Sequence, residues 1–330
     1  MLYESAKALH KAIGDYLQLR RGLGYKLEID ERHLHKFAAF LEKQKATRIT
    51  TRLAMEFATE NPCLDRGGCV SRMCTIRAFA RYWNGIDPAS EIPPKGLLRS
   101  PRKRAKPRLC SERQINRLLK AARGGRLTQT RGLRPWTLYV LFGLLVVTGM
   151  RVSEAVNLRS EDVDWREAYL TIRDTKFGKS RRVPLHRSTL KILRRYTDRR
   201  DRFLRTGWRR SFVCQTSGLF FVSNRGTALN GGYLRWSFRE LQRKAGLTAP
   251  GEPRVRIHDL RHRFAVETLR RWYERSVTNV EARLPVLSTF LGHVNVASTY
   301  WYLSSTPALR AAAIGRVESR WKGATHVTDN

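Results

Sequence analysis

The chain has 330 residues, with 64 Lys and Arg against 28 Asp and Glu, and the resulting net charge of +36 asks for a polyanionic partner, nucleic acid before others. That length allows two domains and at least one sizeable core, so the fold is expected to need no metal, disulfide or cofactor. The five cysteines (Cys63, Cys69, Cys74, Cys110 and Cys214) are odd in number and lack paired C-x-x-C spacing, which excludes a disulfide framework or a zinc site and fits a reduced cytoplasmic protein.

The N-terminus, with Glu4 and Asp15 and no long apolar stretch, does not read as a signal peptide. The first hundred residues show helical periodicity. Leu9, Ile13, Tyr16 and Leu17 make one apolar face that stops at Gly22 and Gly24; Leu34, Phe37, Ala38 and Leu41 make a second. Thr50 or Thr51 caps a third helix carrying Leu53, Phe57 and Ala58, and Met73, Ile76, Phe79, Ala80 and Trp83 mark a fourth. Four short amphipathic helices predict a small bundle over 1–98. Asp87-Pro88 and Pro93-Pro94 lead into residues 99–108, where six of ten are basic; this composition buries no core and reads as a linker. Its Arg102, Lys103, Arg104 and Lys106 are candidate contacts to a phosphate backbone, or simply a solvated connector.

From 109 to 330 a second domain is expected. Ser111 opens a helix as its cap, and the 15 apolar-rich residues from Trp136 to Met150 follow. That run is shorter than the roughly 20 residues a membrane helix needs and is bracketed by Arg134 and Arg151, so it reads as a buried core helix with no membrane partner. Tyr169–Arg173 and Arg181–Leu185 are short and β-rich and flank the turn-forming Lys176-Phe-Gly-Lys-Ser180, which predicts a hairpin with Lys176 at or near its bend. Helical spacing returns at Leu190–Tyr196 and Tyr233–Ala245. The fold class is therefore mainly α with a small antiparallel β-sheet.

Three strings carry chemistry. In Thr148-Gly-Met-Arg-Val-Ser-Glu154, Arg151 follows a buried helix and a Gly turn, with Glu154 three positions on to orient its guanidinium. In His258-Asp-Leu-Arg-His-Arg-Phe-Ala265, His258 and Arg261 share a helix face. An imidazole moves protons near neutral pH, while a guanidinium clamps a phosphate and stays charged; His262 competes with His258 for the acid/base role. In Leu291-Gly-His293 through Tyr302, an imidazole and a phenol lie nine residues apart. Tyr300 is the rival hydroxyl; Tyr300 and Trp301 otherwise read as packing aromatics.

In order and spacing, Arg151, His258-x-x-Arg261, Leu-Gly-His293 and Tyr302 resemble the signature of the tyrosine recombinases, the phage-integrase family. Lys176 sits where that family has its hairpin lysine, eight residues before Pro184, with Lys179 as the alternative. The match covers the chain from about residue 108 onward, and the N-terminal part resembles the family's core-binding domain more loosely.

The resemblance implies a helical core-binding bundle followed by a catalytic domain that cuts and rejoins double-stranded DNA through a 3′-phosphotyrosine, without a metal. Tyr302 would be the nucleophile, Arg151 and Arg261 would neutralise the non-bridging oxygens, and Lys176 would protonate the leaving 5′ oxygen. His258 would act in acid/base transfer with the tyrosine, and His293 would hydrogen-bond the phosphate. Lys179 and Arg181 join the linker residues as expected DNA contacts. By resemblance four protomers assemble on two sites, with a second recombinase or an accessory DNA-bending protein as further candidates. A mobile-element origin, hence integration or transposition, fits the basicity; dimer resolution is the other recombination outcome. A type IB topoisomerase shares the chemistry, and the alternative from another class is a catalytically silent DNA-binding accessory protein of the same fold.

Two further expectations concern the flanks of the site. About ten extra residues around 273–284 read as an insertion that adds a DNA or subunit contact. After Tyr302, Pro307 starts a tail helix over about 307–322 with Leu309, Ala313, Val317 and Trp321 four apart. In the family such a tail docks on the neighbouring protomer; docking within the same chain is the other reading.

Overall fold

The computed structural model describes residues 2–99, 107–124, 132–173, 180–206, 218–248, 253–274 and 280–305, together with Gly251, Leu309, Ala311, Ile314, Gly315 and Glu318. The chain forms two compact units, Met1–Ala105 and Lys106–Asn330, so the division falls inside the basic stretch read as a linker.

The first unit holds four helices, α1 (Leu2–Gly22), α2 (Glu28–Lys43), α3 (Thr51–Thr59) and α4 (Arg66–Trp83). Side-chain caps start two of them: Thr50 accepts from the Leu53 amide of α3, and Asp65 accepts from the Gly68 amide of α4. The apolar faces converge on one core built around Ile13, Leu34, Phe37, Phe57, Ile76 and Phe79. One charge is buried there. Arg72 of α4 donates to the Phe57 carbonyl at 3.0 Å and lies over the Phe57 ring.

The second unit begins with α5 (Glu112–Gly124), where Ser111 and Gln114 cap each other's backbone amides. The apolar run folds as α6 (Arg134–Thr148) and is buried through Leu138, Leu141, Phe142, Leu144 and Leu145. It ends on Gly149 in the left-handed region (φ 61°), whose amide donates to the Leu145 carbonyl. A five-residue helix, α7 (Val152–Val156), follows directly and places Arg151 at its N-cap.

The sheet has three strands rather than the two of a hairpin. β1 (Val163–Asp164), β2 (Tyr169–Ile172) and β3 (Arg181–Pro184) pair antiparallel in that order. Ile172 faces Arg181 across the hairpin; residues 174–179, including Lys176 and Lys179, lie outside the described residues. Two-residue β1 is too short to show an alternation, which is why periodicity missed it.

The rest is helical: α8 (Arg187–Thr206), α9 (Gly231–Lys244), α10 (Ile257–Glu274), α11 (Val280–Leu291) and α12 (Ala297–Ser305). The stretch expected as an insertion around 273–284 is, where described, the end of α10 and the start of α11. Tyr273, Val280 and Leu284 are buried in a core cluster with Leu269, Leu287, Leu291 and Tyr302. Arg270 pairs with Glu267 and Glu274, and Arg271 with Glu267, so these arginines are engaged within the helix rather than presented bare. Of the expected tail, Leu309 is buried in that same cluster of its own chain, while Ile314 is 54% exposed. Among the described residues no helix is long and apolar enough to cross a membrane.

Candidate active site

Two helix ends and one helix start build the site. α11 stops as α6 does, on a glycine in the left-handed region, Gly292 (φ 68°). The Gly292 amide donates to the Thr289 carbonyl and the His293 amide to Ser288, so the terminus is closed by paired bonds. Each of these glycines turns its own carbonyl toward an arginine. Arg261, on the first turns of α10, donates from Nη1 to Gly149 O at 2.9 Å and from Nη2 to Leu291 O at 2.6 Å. Arg151, following Gly149 by two residues, donates from Nη2 to Gly292 O at 2.9 Å. The two guanidinium groups are thus cross-braced by the backbone of both corners.

Glu154 finishes the brace. Its carboxylate accepts from the Arg151 amide (2.8 Å), from Arg151 Nη1 (2.8 Å), and from Arg181 Nη1 and Nη2 (3.1 and 2.7 Å). Burial pushes its pKa up, but the Arg181 hydrogen bonds and charge, followed by those of Arg151, outweigh it and hold the pKa below the ordinary glutamate value. A buried carboxylate kept ionised in this way fixes both arginines at once.

Arg181 does not stand where a DNA contact was expected. Its side chain is 9% exposed, bound to both Glu154 oxygens and, through Nε, to the Phe290 carbonyl at 2.8 Å. The signal was present in the strand: positions 181 and 183 of β3 share a face, and Val183 is fully buried, so Arg181 points inward while Arg182 points out. The other expected DNA contacts, Arg102, Lys103, Arg104, Lys106 and Lys179, and the hairpin candidate Lys176, lie outside the described residues.

Arg261 is 3% exposed. Burial pushes its pKa down to about 10, with the Arg151 charge adding to the fall and Tyr302 and Glu154 opposing it; it remains a cation at neutral pH. His258 stands one turn before it at the solvent-facing start of α10, where Asp259 accepts from the Arg256 amide and anchors the turn. Partial desolvation, then the Arg261 charge, lowers the His258 pKa, with Asp259 opposing.

His293 is set by the Gly292 corner and by Thr299, whose Oγ1 lies 2.8 Å from its Nδ1. Thr299 is fully buried, and no spacing in the sequence singled it out. The His293 ring stacks on Tyr302, with centroids 6.3 Å apart. Tyr302 is the innermost residue of the group, 1% exposed, and its Oη lies 3.0 Å from Nδ1 of His262. Tyr300 is 50% exposed, which inverts the expectation that it is the packing aromatic. Two positions along a helix turn a side chain through about 200°, so α12 buries one tyrosine and exposes the other.

The mainly helical second unit thus gathers two braced arginines, three histidines and a tyrosine in one cluster. The model of the phage integrase family matches residues 108–308. A relative from Sinorhizobium fredii (strain NBRC 101917 / NGR234), named "Putative integrase/recombinase y4rB", is 45% identical over 318 residues, covering 96% of this chain and 98% of its own. The chain belongs to the phage integrase family. Among solved structures, a Tn1549 transposon integrase in complex with transposon right end DNA matches with a TM-score of 0.63 at 15% identity, over 94% of this chain and 98% of that one. The XerH site-specific recombinase bound to a palindromic difH substrate matches with a TM-score of 0.61 at 19% identity, over 96% and 85%. At these identities the two structures establish a shared fold.

Proposed function

We propose that this protein is a site-specific DNA recombinase or integrase that cuts and rejoins duplex DNA through a 3′-phosphotyrosine. The observation that carries the reading is the pair of guanidinium groups, Arg151 and Arg261, cross-braced by Gly149, Leu291, Gly292 and Glu154, with Tyr302 close enough to act electrostatically on Arg261. Two cations held by backbone carbonyls need no reorganisation when a phosphodiester approaches the charge of its transition state, which is the condition for strong electrostatic catalysis.

Tyr302 attacks the scissile phosphorus, the bond to the 5′ oxygen breaks, and the bond energy is kept in the covalent intermediate. Arg151 and Arg261 take the non-bridging oxygens, His293 donates to the phosphate from a ring set by Thr299, and His258 serves proton transfer. Lys176 protonates the leaving oxygen, with Lys179 as the alternative. Arg102, Lys103, Arg104 and Lys106 of the basic stretch are the proposed contacts to the DNA phosphates. A double-stranded DNA partner is supported by the neighbours solved with DNA, and an origin in a mobile element by the transposon integrase and by the integrase/recombinase named in S. fredii. Assembly as a tetramer on two sites, and a second recombinase or DNA-bending protein in it, follow the family pattern.

The test is incubation with a nicked suicide DNA duplex carrying the element's end. The wild-type chain forms a covalent DNA adduct in the presence of EDTA, Tyr302→Phe forms none, and Tyr300→Phe retains it. An adduct that persists in Tyr302→Phe and disappears in Tyr300→Phe moves the nucleophile to the exposed tyrosine. DNA binding without any adduct selects the catalytically silent accessory protein.

A further inference from the structure

One buried titratable ring has no part in the mechanism above. His262 follows Arg261 on α10 and is 3% exposed, and its Nδ1 lies 3.0 Å from the Tyr302 hydroxyl. The ring is enclosed by aromatic neighbours: His258 edge-on with centroids 4.7 Å apart, and Trp301 and Tyr302 each at 5.5 Å. Tyr302 itself is only 1% exposed, so the phenol meets this ring rather than bulk solvent. The separation from Nδ1 to Oη falls within the 2.6–3.2 Å reach expected of a general base. His258, the base that the resemblance implies, is one ring further out and open to solvent.

We propose that His262 is the group that takes the Tyr302 proton, with His258 standing between it and solvent. This rests on the reading of Tyr302 as the nucleophile. In the tautomer protonated at Nε2, the phenol donates to Nδ1. As the Tyr302 Oη bond to phosphorus forms and the bond from phosphorus to the 5′ oxygen breaks, the phenolic proton passes to His262 Nδ1 and leaves an imidazolium. The 5′ oxygen takes its proton from the acid assigned above, Lys176. On rejoining, His262 returns the proton to the departing phenolate. The imidazolium forms as negative charge builds on the phosphorus oxygens, so the two changes offset each other within one enclosed site.

Three proteins test this on the suicide DNA duplex: the wild-type chain, His262→Asn, and His262→Asn with 3,5-difluorotyrosine at position 302. An asparagine side chain places an amide where Nδ1 lies and keeps a hydrogen bond to the phenol, but it takes up no proton; fluorination acidifies the phenol so that it ionises without help. The expected result is unchanged DNA binding, adduct formation slowed by about 100-fold or more in His262→Asn, and recovery of most of that loss with difluorotyrosine. Wild-type cleavage rates in His262→Asn, or a loss that difluorotyrosine leaves in place, overturn the proposal and make His262 a packing residue. Difluorotyrosine in the otherwise unchanged chain gives a check that needs no folded variant. With a base at hand it raises cleavage by less than about tenfold, whereas a gain of about 100-fold means that no base assists the attack. Absence of any adduct from the wild-type chain, or its survival in Tyr302→Phe, instead brings down the reading of Tyr302 as nucleophile and this proposal with it.

Discussion

The two glycine corners of the second unit do the same job by different means. Gly149 and Gly292 both end a helix in the left-handed region, and each offers a carbonyl to one arginine of the clamp. A Cβ built on Gly149 would lie 2.5 Å from Cδ1 of Phe264, a ring stacked on Phe290, so that corner is locked by apolar packing. A Cβ on Gly292 would meet the Arg181 guanidinium, at 2.8 Å from Nη1, so the second corner is locked by charge. One arginine therefore takes its position from a corner that answers to volume, and the other from a corner that answers to ionisation.

The largest effect is expected from removing the charge lock. Glu154→Ala leaves Arg151 and Arg181 without their shared carboxylate in a site where the Glu154 side chain is 5% exposed, and it is expected to destabilise the second unit by about 3–5 kcal/mol. Hydrogen exchange should rise first around Gly292 and β3; an even rise across both corners would show that they are not separable. Next comes Gly149→Ala, where left-handed strain of about 1–2 kcal/mol adds to overpacking against Phe264, for a total of about 2–4 kcal/mol by denaturant melting. Gly292→Ala should cost less, about 1–2 kcal/mol of strain, because the far end of Arg181 can shift, but adduct formation should fall as Arg181 loses its grip on Glu154. Equal losses of stability in the two alanine variants would remove the distinction between the corners.

The smallest effect is one of pH. The folded-state pKa of Glu154 is depressed, so its contribution to stability is fully present above the ordinary glutamate value and is lost as pH falls through the lowered one. Acid is therefore expected to loosen the Gly292 corner only below the usual carboxylate range, while the Gly149 corner follows global unfolding. Amide exchange at the two corners between about pH 5 and pH 3 reads the difference.

Much of the fold was legible because the signals were local. Apolar spacing marked α1 to α4, Thr50 and Ser111 act as the caps they were read as, and the run from Trp136 is a buried helix. Arg151, Glu154, His258, Arg261, His293 and Tyr302, each singled out by residue type, order and spacing, do come together. What was misread depends on direction. Arg181 was grouped with the DNA contacts although the two-residue period of its strand turns it inward, and Tyr300, read as a packing aromatic, is half exposed on α12. The residues near 273–284 were read as an insertion that adds a DNA or subunit contact, whereas Tyr273, Val280 and Leu284 are core.

By itself the sequence determined the family of this protein and the candidate residues of its site, because motif order, glycine positions and charge survive without coordinates. Only the tertiary structure decided which group each of those residues meets. Contacts such as Arg261 to Gly149 and His262 to Tyr302 join residues 112 and 40 positions apart, and no local periodicity encodes a distance across the fold.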